Sequence, residues 1–275
     1  MTTPAPPPET EVDLDRALEV ALRAADRAIA ITRDTPLGEI RTKQHEADVV
    51  TEVDTAVERA VRELIAAELP GHGVVGEEYG TDLAGRDGGP DGTAPTWYCD
   101  PVDGTTNLTA GLPWTSFSLA LAVGRTPLVG VVADPWRGEV LHAVAGRGTR
   151  VDGTAPVLGA GRDRLTGGVV LTEWAADQPW PGMLPLLAGL AERRCTTRVM
   201  GSSTLTLAQV AAGRATGAVV GAFHPEDHLA ATLLARETGL AVWDETGSPN
   251  PFPARGGIMV ARPAVAAELF ALWRP

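Results

Sequence analysis

Thiols are nearly absent. Cys99 and Cys195 are the only two in 275 residues, and two cysteines so far apart form neither a disulfide framework nor a cysteine metal motif, so both are read as reduced. Basic residues are outnumbered: 23 Lys and Arg stand against 35 Asp and Glu, for a formal net charge of −12. That balance argues against nucleic acid as a partner, because affinity for it rests on Lys and Arg neutralising phosphates. Nowhere do 18 strongly apolar residues run together, so no transmembrane helix is expected. Residues 1–11 contain Pro4 and Pro6-Pro7-Pro8 but no basic n-region and no apolar h-region. Residues 1–10 are therefore expected to be a disordered tail rather than a signal, and the expected location is the cytoplasm. The five His show no ligand spacing such as His-Glu-x-x-His, which disfavours zinc.

What is present suits a sizeable core interrupted by many turns: 44% hydrophobic residues with 31 Gly and 22 Pro fit one or two closely packed α/β units. Leu14, Leu18, Ala21, Leu22, Ala25 and Ile29 recur at helical spacing, predicting a helix over 12–33 with one buried face. A second helix is expected over 54–69, stopped by Pro70-Gly71. Residues 80–95, with five Gly and two Pro, read as a polar surface insertion. From 116 to 145, strand-like runs separated by Gly- and Pro-containing turns predict an antiparallel meander. Beyond 165, strand and helix signals alternate over 169–171, 184–192, 204–212, 218–220, 227–237 and 241–243.

The richest segment is Asp100-Pro101-Val102-Asp103-Gly104-Thr105-Thr106-Asn107. It offers two carboxylates, a free carbonyl, glycine-freed amides and two hydroxyls, the inventory of a metal-and-phosphate site. Trp97-Tyr98-Cys99 before it reads as a buried strand delivering Asp100 at its carboxyl end, where open α/β sheets place ligands. Pro101 is expected to stop that strand, and Gly104 to let the main chain approach a ligand. A turn of Asp, Pro and Gly has the same composition; its company decides against that reading. Val74 and Val75 form a short strand ending in Glu77 and Glu78, and Glu226-Asp227 opens an apolar helical run that stops at Gly239, with Asp227 at or near the N-cap. If they converge, five such acids repel one another by several kcal/mol at low dielectric unless divalent cations neutralise them. Oxygen donors without a His or Cys set point to Mg²⁺ first and Mn²⁺ second.

Other strings carry less. Gly71-x-Gly73-x-x-Gly76 matches a dinucleotide motif, but a strand and two acids follow where a helix is needed. Asp100 and Asp103 are three apart, not the Asp-x-Asp of phosphatases that use an Asp nucleophile. Asn107-Leu108-Thr109 is a glycosylation sequon in form only. Trp114, Trp136, Trp174, Trp180 and Trp243 read as core or interface residues, since no Lys/Arg stripe accompanies them.

Taken together, Gly76-Glu77-Glu78, the octapeptide, Asp227 and Glu237-Thr238-Gly239 resemble the inositol monophosphatase family of Mg²⁺-dependent, lithium-sensitive phosphatases, which includes histidinol-phosphatase-like and fructose-1,6-bisphosphatase-like members. Asp48-Val49-Val50-Thr51-Glu52-Val53-Asp54 resembles another family element. So do Gly130 to Pro135, Glu139 and Gly146-Arg147-Gly148, which are similar to its central hairpin. The resemblance spans roughly residues 11 to 262.

It implies an α/β (α+β) fold, a layered α/β/α/β/α sandwich, with the site where an N-terminal α+β half (11–160) meets a C-terminal α/β half (161–275) bearing Asp227. It implies two or three Mg²⁺: Glu77, Asp100 and the Val102 carbonyl for the first, and Asp100, Asp103 and Asp227 for the second. Thr105 would position the nucleophilic water, oriented by Asp54, with Glu77 helping through a further cation. The Gly104 and Thr105 N–H groups would cradle phosphate. Asp103, Gly104, Thr105, His224 and Asp227 would contact substrate, and the chain would form a homodimer.

Three positions depart from the family pattern. The usual Trp-Asp is Glu226-Asp227, the following Ala-Ala-Gly is Leu229-Ala230-Ala231, and Val220 stands where inositol-specific members have a ring-binding Glu. Inositol monophosphate, histidinol phosphate and sugar or nucleotide bisphosphates stay open as substrates of a phosphomonoesterase acting by metal-activated water. The alternative is a metal-binding regulatory relative with little turnover. Lys43, five residues before Asp48, matches a basic position on a loop near the site.

Overall fold

The structure is a computed structural model that describes residues 12–43, 49–83, 87–159, 163–174 and 178–274. The expected tail, Asp48 and part of the 80–95 insertion lie outside the described residues.

Five layers stack as expected. The outer layer pairs α1 (Leu14–Asp34) with α2 (Glu52–Glu68), preceded by the short strands β1 (Arg41–Thr42) and β2 (Val49–Val50). Both helices turn Ala- and Val-rich faces inward: Ala17, Val20, Ala21, Ala24, Val53, Val57 and Val61 are all buried, and small side chains let the helices approach the sheet beneath closely. That sheet has seven strands in the order β4-β3-β5-β6-β7-β8-β9. In chain order these are β3 (Gly73–Gly76), β4 (Gly80–Asp82), β5 (Pro95–Asp103), β6 (Ser116–Val123), β7 (Thr126–Asp134), β8 (Glu139–Val144) and β9 (Thr149–Val151), with the five-residue α3 (Thr105–Thr109) directly after β5. The expected meander is β6 to β8. The insertion contributes β4, antiparallel to β3.

A second sheet follows, ordered β11-β10-β12-β14-β13. Its strands are β10 (Val169–Thr172), β11 (Thr196–Val199), β12 (Gly217–Val220), β13 (Ala241–Asp244) and β14 (Ile258–Ala261). Between the sheets lie α5 (Ser203–Ala211) and α6 (Pro225–Glu237), apolar nearly all round, as a helix covered on both sides must be. On the far face pack α4 (Met183–Glu192) and α7 (Pro263–Trp273), through Met183, Leu186, Leu190, Val265 and Leu269. Both cysteines are buried and free, and no helix among the described residues is long and apolar enough to cross a membrane.

One local feature corrects the sequence reading. Pro101 does not stop β5; the strand runs on to Asp103. Pairing passes from Asp100 opposite Ser118 to Asp103 opposite Ser116, so three steps on β5 match two on β6. That is a bulge, and Pro101 sits inside it, where its missing N–H breaks no ladder bond. The extra residue has a functional consequence. Side chains an odd number of residues apart on a regular strand face opposite ways; here Tyr98 and Asp103, five apart, both face the α5–α6 layer, while Val102 packs toward α1 and α2.

Candidate active site

β3 and β5 are parallel neighbours, with Gly76 opposite Cys99, so their carboxyl ends emerge side by side and Glu77 stands next to Asp100. The Glu77 N–H donates to the Cys99 carbonyl at 3.2 Å. Glu58, fully buried on α2, accepts from the N–H groups of Glu78 (2.7 Å) and Tyr79 (3.1 Å) and pairs with Arg62 at 2.8 Å, which fixes the turn carrying Glu77. Four helices begin around the same point: α2 at N-cap Thr51, α3 at Gly104, α5 at Ser202 and α6 at His224. Their amino ends carry partial positive charge, which offsets part of the carboxylate repulsion in a chain of net charge −12.

Asp100, Asp103, Glu77 and Asp227 act on one another through space. Burial, and then the charges of Glu77, Asp227 and Asp103, hold Asp100 well above the usual carboxylate range. Burial and then Asp103 and Glu77 do the same to Asp227. Burial pushes Asp103 up to about 6, although the donors Ser202 and Thr204 favour its charge. Glu77 thus favours the protonated form of Asp100, so two free charges side by side are disfavoured unless a proton or a cation lies between them. No described residue donates to the Asp227 carboxylate; its helix N3 position and the neighbouring acids are its surroundings. An all-oxygen set with surplus negative charge fits a hard divalent cation.

As the side chains lie, no three His, Cys, Asp or Glu groups among the described residues are gathered tightly enough to ligate one ion. Glu77 is instead engaged by Lys43, the single lysine of the chain, whose ammonium lies 2.8 Å from Glu77 Oε1 and 2.5 Å from Glu78 Oε1. Burial opposes that ammonium charge, but the two glutamates outweigh it and keep Lys43 above its ordinary range.

Beside the acids sits a hydroxyl relay. Thr105 Oγ1 lies 2.9 Å from Asp54 Oδ1 and 3.0 Å from the Val102 carbonyl. Asp54 Oδ2 accepts from the Thr51 N–H at 2.9 Å and the Thr51 hydroxyl at 2.5 Å, closing a capping box at the start of α2. Burial raises the Asp54 pKa and these donors partly oppose it. Gly104 has φ +96°, and a Cβ there would lie 2.7 Å from the Gly201 carbonyl, so glycine is required on both counts.

The remaining wall comes from α5 and α6. Asp103 Oδ2 accepts from Ser202 Oγ and the Thr204 N–H, both at 2.6 Å, while Ser203 Oγ lies 3.5 Å from Oδ1. His224 is exposed at the α6 N-cap. Val220 is buried in β12 in the same apolar cluster as Phe223 and Phe252, so it presents no polar atom to a ligand.

The structure therefore brings Asp54, Glu77, Asp100, Val102, Asp103, Gly104, Thr105 and Asp227 to one region without closing them into a ready ligand cage, leaves His224 exposed at its edge and turns Val220 into the core. Sequence reasoning gave no role to Glu58, Ser202, Ser203, Thr204 and His228, and quoted Thr51 only as part of the Asp48–Asp54 element. Of these only Thr51 left a signal, the Thr-x-x-Asp of a capping box; the others depend on packing between distant segments.

The comparisons agree with this geometry. A family model described as "Inositol monophosphatase family" matches residues 10–274. The chain is 35% identical to "Nus factor SuhB" of Escherichia coli (strain K12), over 94% of this chain and 95% of the relative. It is 33% identical to "Inositol-1-monophosphatase ImpA" of Mycolicibacterium smegmatis, over 81% of this chain and 79% of that one. Among solved structures, an inositol monophosphatase from Anabaena (Nostoc) sp. PCC 7120 superposes with a TM-score of 0.80 at 27% identity, covering 95% of this chain and 96% of the other. A match over nearly the whole length, on a fold that brings these acids to one strand edge, means that the chain belongs to the inositol monophosphatase family.

Proposed function

We propose that the protein is a Mg²⁺-dependent phosphomonoesterase that hydrolyses a small phosphorylated alcohol. The observation that carries this reading is the adjacency of two systems: carboxylates on parallel strand ends that need a cation, and the Thr51–Asp54–Thr105 relay beside them. Glu77, Asp100 and the Val102 carbonyl would hold one cation, and Asp100, Asp103 and Asp227 a second. Bound there, Mg²⁺ supplies positive charge against the phosphoryl oxygens and makes water easier to ionise.

The chain's own residues do the rest. Thr105 Oγ1 donates to Asp54 and so has its lone pairs free for an incoming water, which it would hold beside the phosphoryl group. As the water loses a proton, Thr105 receives it and passes its own to Asp54 Oδ1, whose raised pKa suits it as an acceptor. Gly104 and Thr105, at the start of α3, would offer their N–H groups to phosphoryl oxygens. The products are an alcohol and inorganic phosphate.

A second reading has a specific motive: close relatives carry the name Nus factor SuhB, and Val220 withdraws the acceptor on the alcohol side. Such a protein would bind metal and a partner with little turnover. Phosphate release from a panel of phosphomonoesters, with and without Mg²⁺, separates the two. Metal-dependent release that disappears in Asp100→Asn supports the enzyme; Mg²⁺ binding with no release from any ester supports the regulator.

A further inference from the structure

Two of the second cation's three carboxylates arrive on different elements, Asp103 at the end of β5 and Asp227 in the first turn of α6, and their spacing has to be set by something. His228, the residue after Asp227, is 2% exposed and carries a polar ring into the join. Its Nδ1 lies 2.9 Å from the His224 backbone nitrogen, and a main-chain N–H can only donate, so Nδ1 is the acceptor. The neutral ring then bears its hydrogen on Nε2, which donates to Ser203 Oγ at 2.9 Å. With one Ser203 lone pair so occupied, its own hydrogen is turned away from His228, and Asp103 Oδ1 is the polar atom in that direction, at 3.5 Å.

Asp103 makes the consequence specific. Its Oδ2 is saturated by two short donors, so Oδ1 is the oxygen with lone pairs left for a cation. Ser203 is the side chain that addresses that oxygen.

We infer that His228 and Ser203 are a positioning pair that orients Asp103 Oδ1 toward the second cation and ties it to the helix carrying Asp227. Neither residue touches the reacting atoms; both act through Asp103. The inference rests on the phosphatase reading and deepens it at one of the two cation positions. Groups that hydrogen-bond to metal ligands typically account for about 10–100-fold in metal affinity. Because Ser202 and Thr204 already hold Asp103, and Thr204 Oγ1 also reaches the Asp227 carbonyl at 2.6 Å, the lower end applies here.

The test is calorimetric titration of Mg²⁺ into chelator-stripped full-length protein, alongside the Mg²⁺ dependence of kcat and KM. In Ser203→Ala and in His228→Leu the weaker Mg²⁺ step falls about tenfold, while the tighter step holds. The double variant is no worse than either single one, since both remove the same relay, and Ser203→Thr, which keeps the hydroxyl, restores the wild-type value. Should His228→Leu fold poorly, Ser203→Ala alone decides. Unchanged affinity in Ser203→Ala, equal weakening of both steps, or additive losses in the double variant would overturn the inference while leaving metal-dependent turnover of the wild type intact. Wild-type protein that takes up no Mg²⁺ would overturn the phosphatase reading itself.

Discussion

On the proposed reading the candidate site has a phosphate side and an alcohol side, and the two are built on different principles. On the phosphate side, Asp54, Thr105 and the Val102 carbonyl are locked by short hydrogen bonds among residues close in sequence or on adjoining elements, under a capped helix. On the alcohol side, Val220, Phe223 and Phe252 are packed into the apolar core, and the polar groups, Ser203, His224 and His228, come from the starts of α5 and α6, between the two sheets. On that reading, the first side would act on the phosphate ester and the second would select which ester enters.

The sharpest way to break this contrast is in the relay. Thr105→Ala or Asp54→Asn is expected to lower kcat by about 10²–10⁴ with KM little changed, the usual scale for removing a proton-transfer group. Thr105→Ser should retain most activity. A fall in KM-limited binding alone, with kcat preserved, would mean that the hydroxyl holds substrate rather than moving a proton.

On the opposite side, Val220→Glu tests whether selectivity can be changed by one residue. The site is buried among apolar side chains, so an uncompensated carboxylate there should cost about 3–5 kcal/mol and show as a large fall in melting temperature. A folded, stable variant that gained inositol phosphate turnover would show that this side is more open than its packing implies.

Gly104→Ala lies at the seam. Its positive φ and the nearby Gly201 carbonyl predict a loss of about 1–3 kcal/mol in chemical denaturation. An effect under a few tenths would show that the seam yields.

The smallest effect concerns the join between the layers. Arg214, after α5, pairs with Glu139 of β8, at 2.6 Å from Nη1 and by a second contact from Nη2. The Arg214 hydrogen bond holds Glu139 below its usual range. A carboxylate whose folded pKa is depressed adds stability above its unfolded pKa, about 4.3 for Glu, and that stability is lost as pH falls through the folded value. Arg214→Ala should therefore cost about 1 kcal/mol at pH 7, discounted for the exposure of the arginine, with the difference closing below pH 4. A difference independent of pH would assign the loss to packing.

How much of this was legible differs between the two sides for the same reason. The acids of the phosphate side sit at the ends of short apolar runs, so Glu77, Asp100, Asp103 and Asp227 announce themselves locally. The five-layer stack followed from the resemblance, and most helices and strands followed from periodicity. Pro101 misled because proline's ladder cost vanishes inside a bulge, and a bulge depends on the partner strand β6. The strands β11 and β14 and the helix α7 carry no expectation from the sequence; β11, Thr-Thr-Arg-Val, lacks the apolar run that marks its neighbours. Ser203 and His228 are 25 residues apart, and only folding brings them into contact.

The central claim is that separate carboxylates form one cation cage beside Thr105. Diffraction from crystals soaked with Mn²⁺ and phosphate, read by the anomalous signal of the metal, tests it directly. The account predicts peaks among Glu77, Asp100, Asp103 and Asp227, with phosphate against the start of α3. Full Mn²⁺ occupancy elsewhere on the molecule, with those four side chains free of metal, would contradict it.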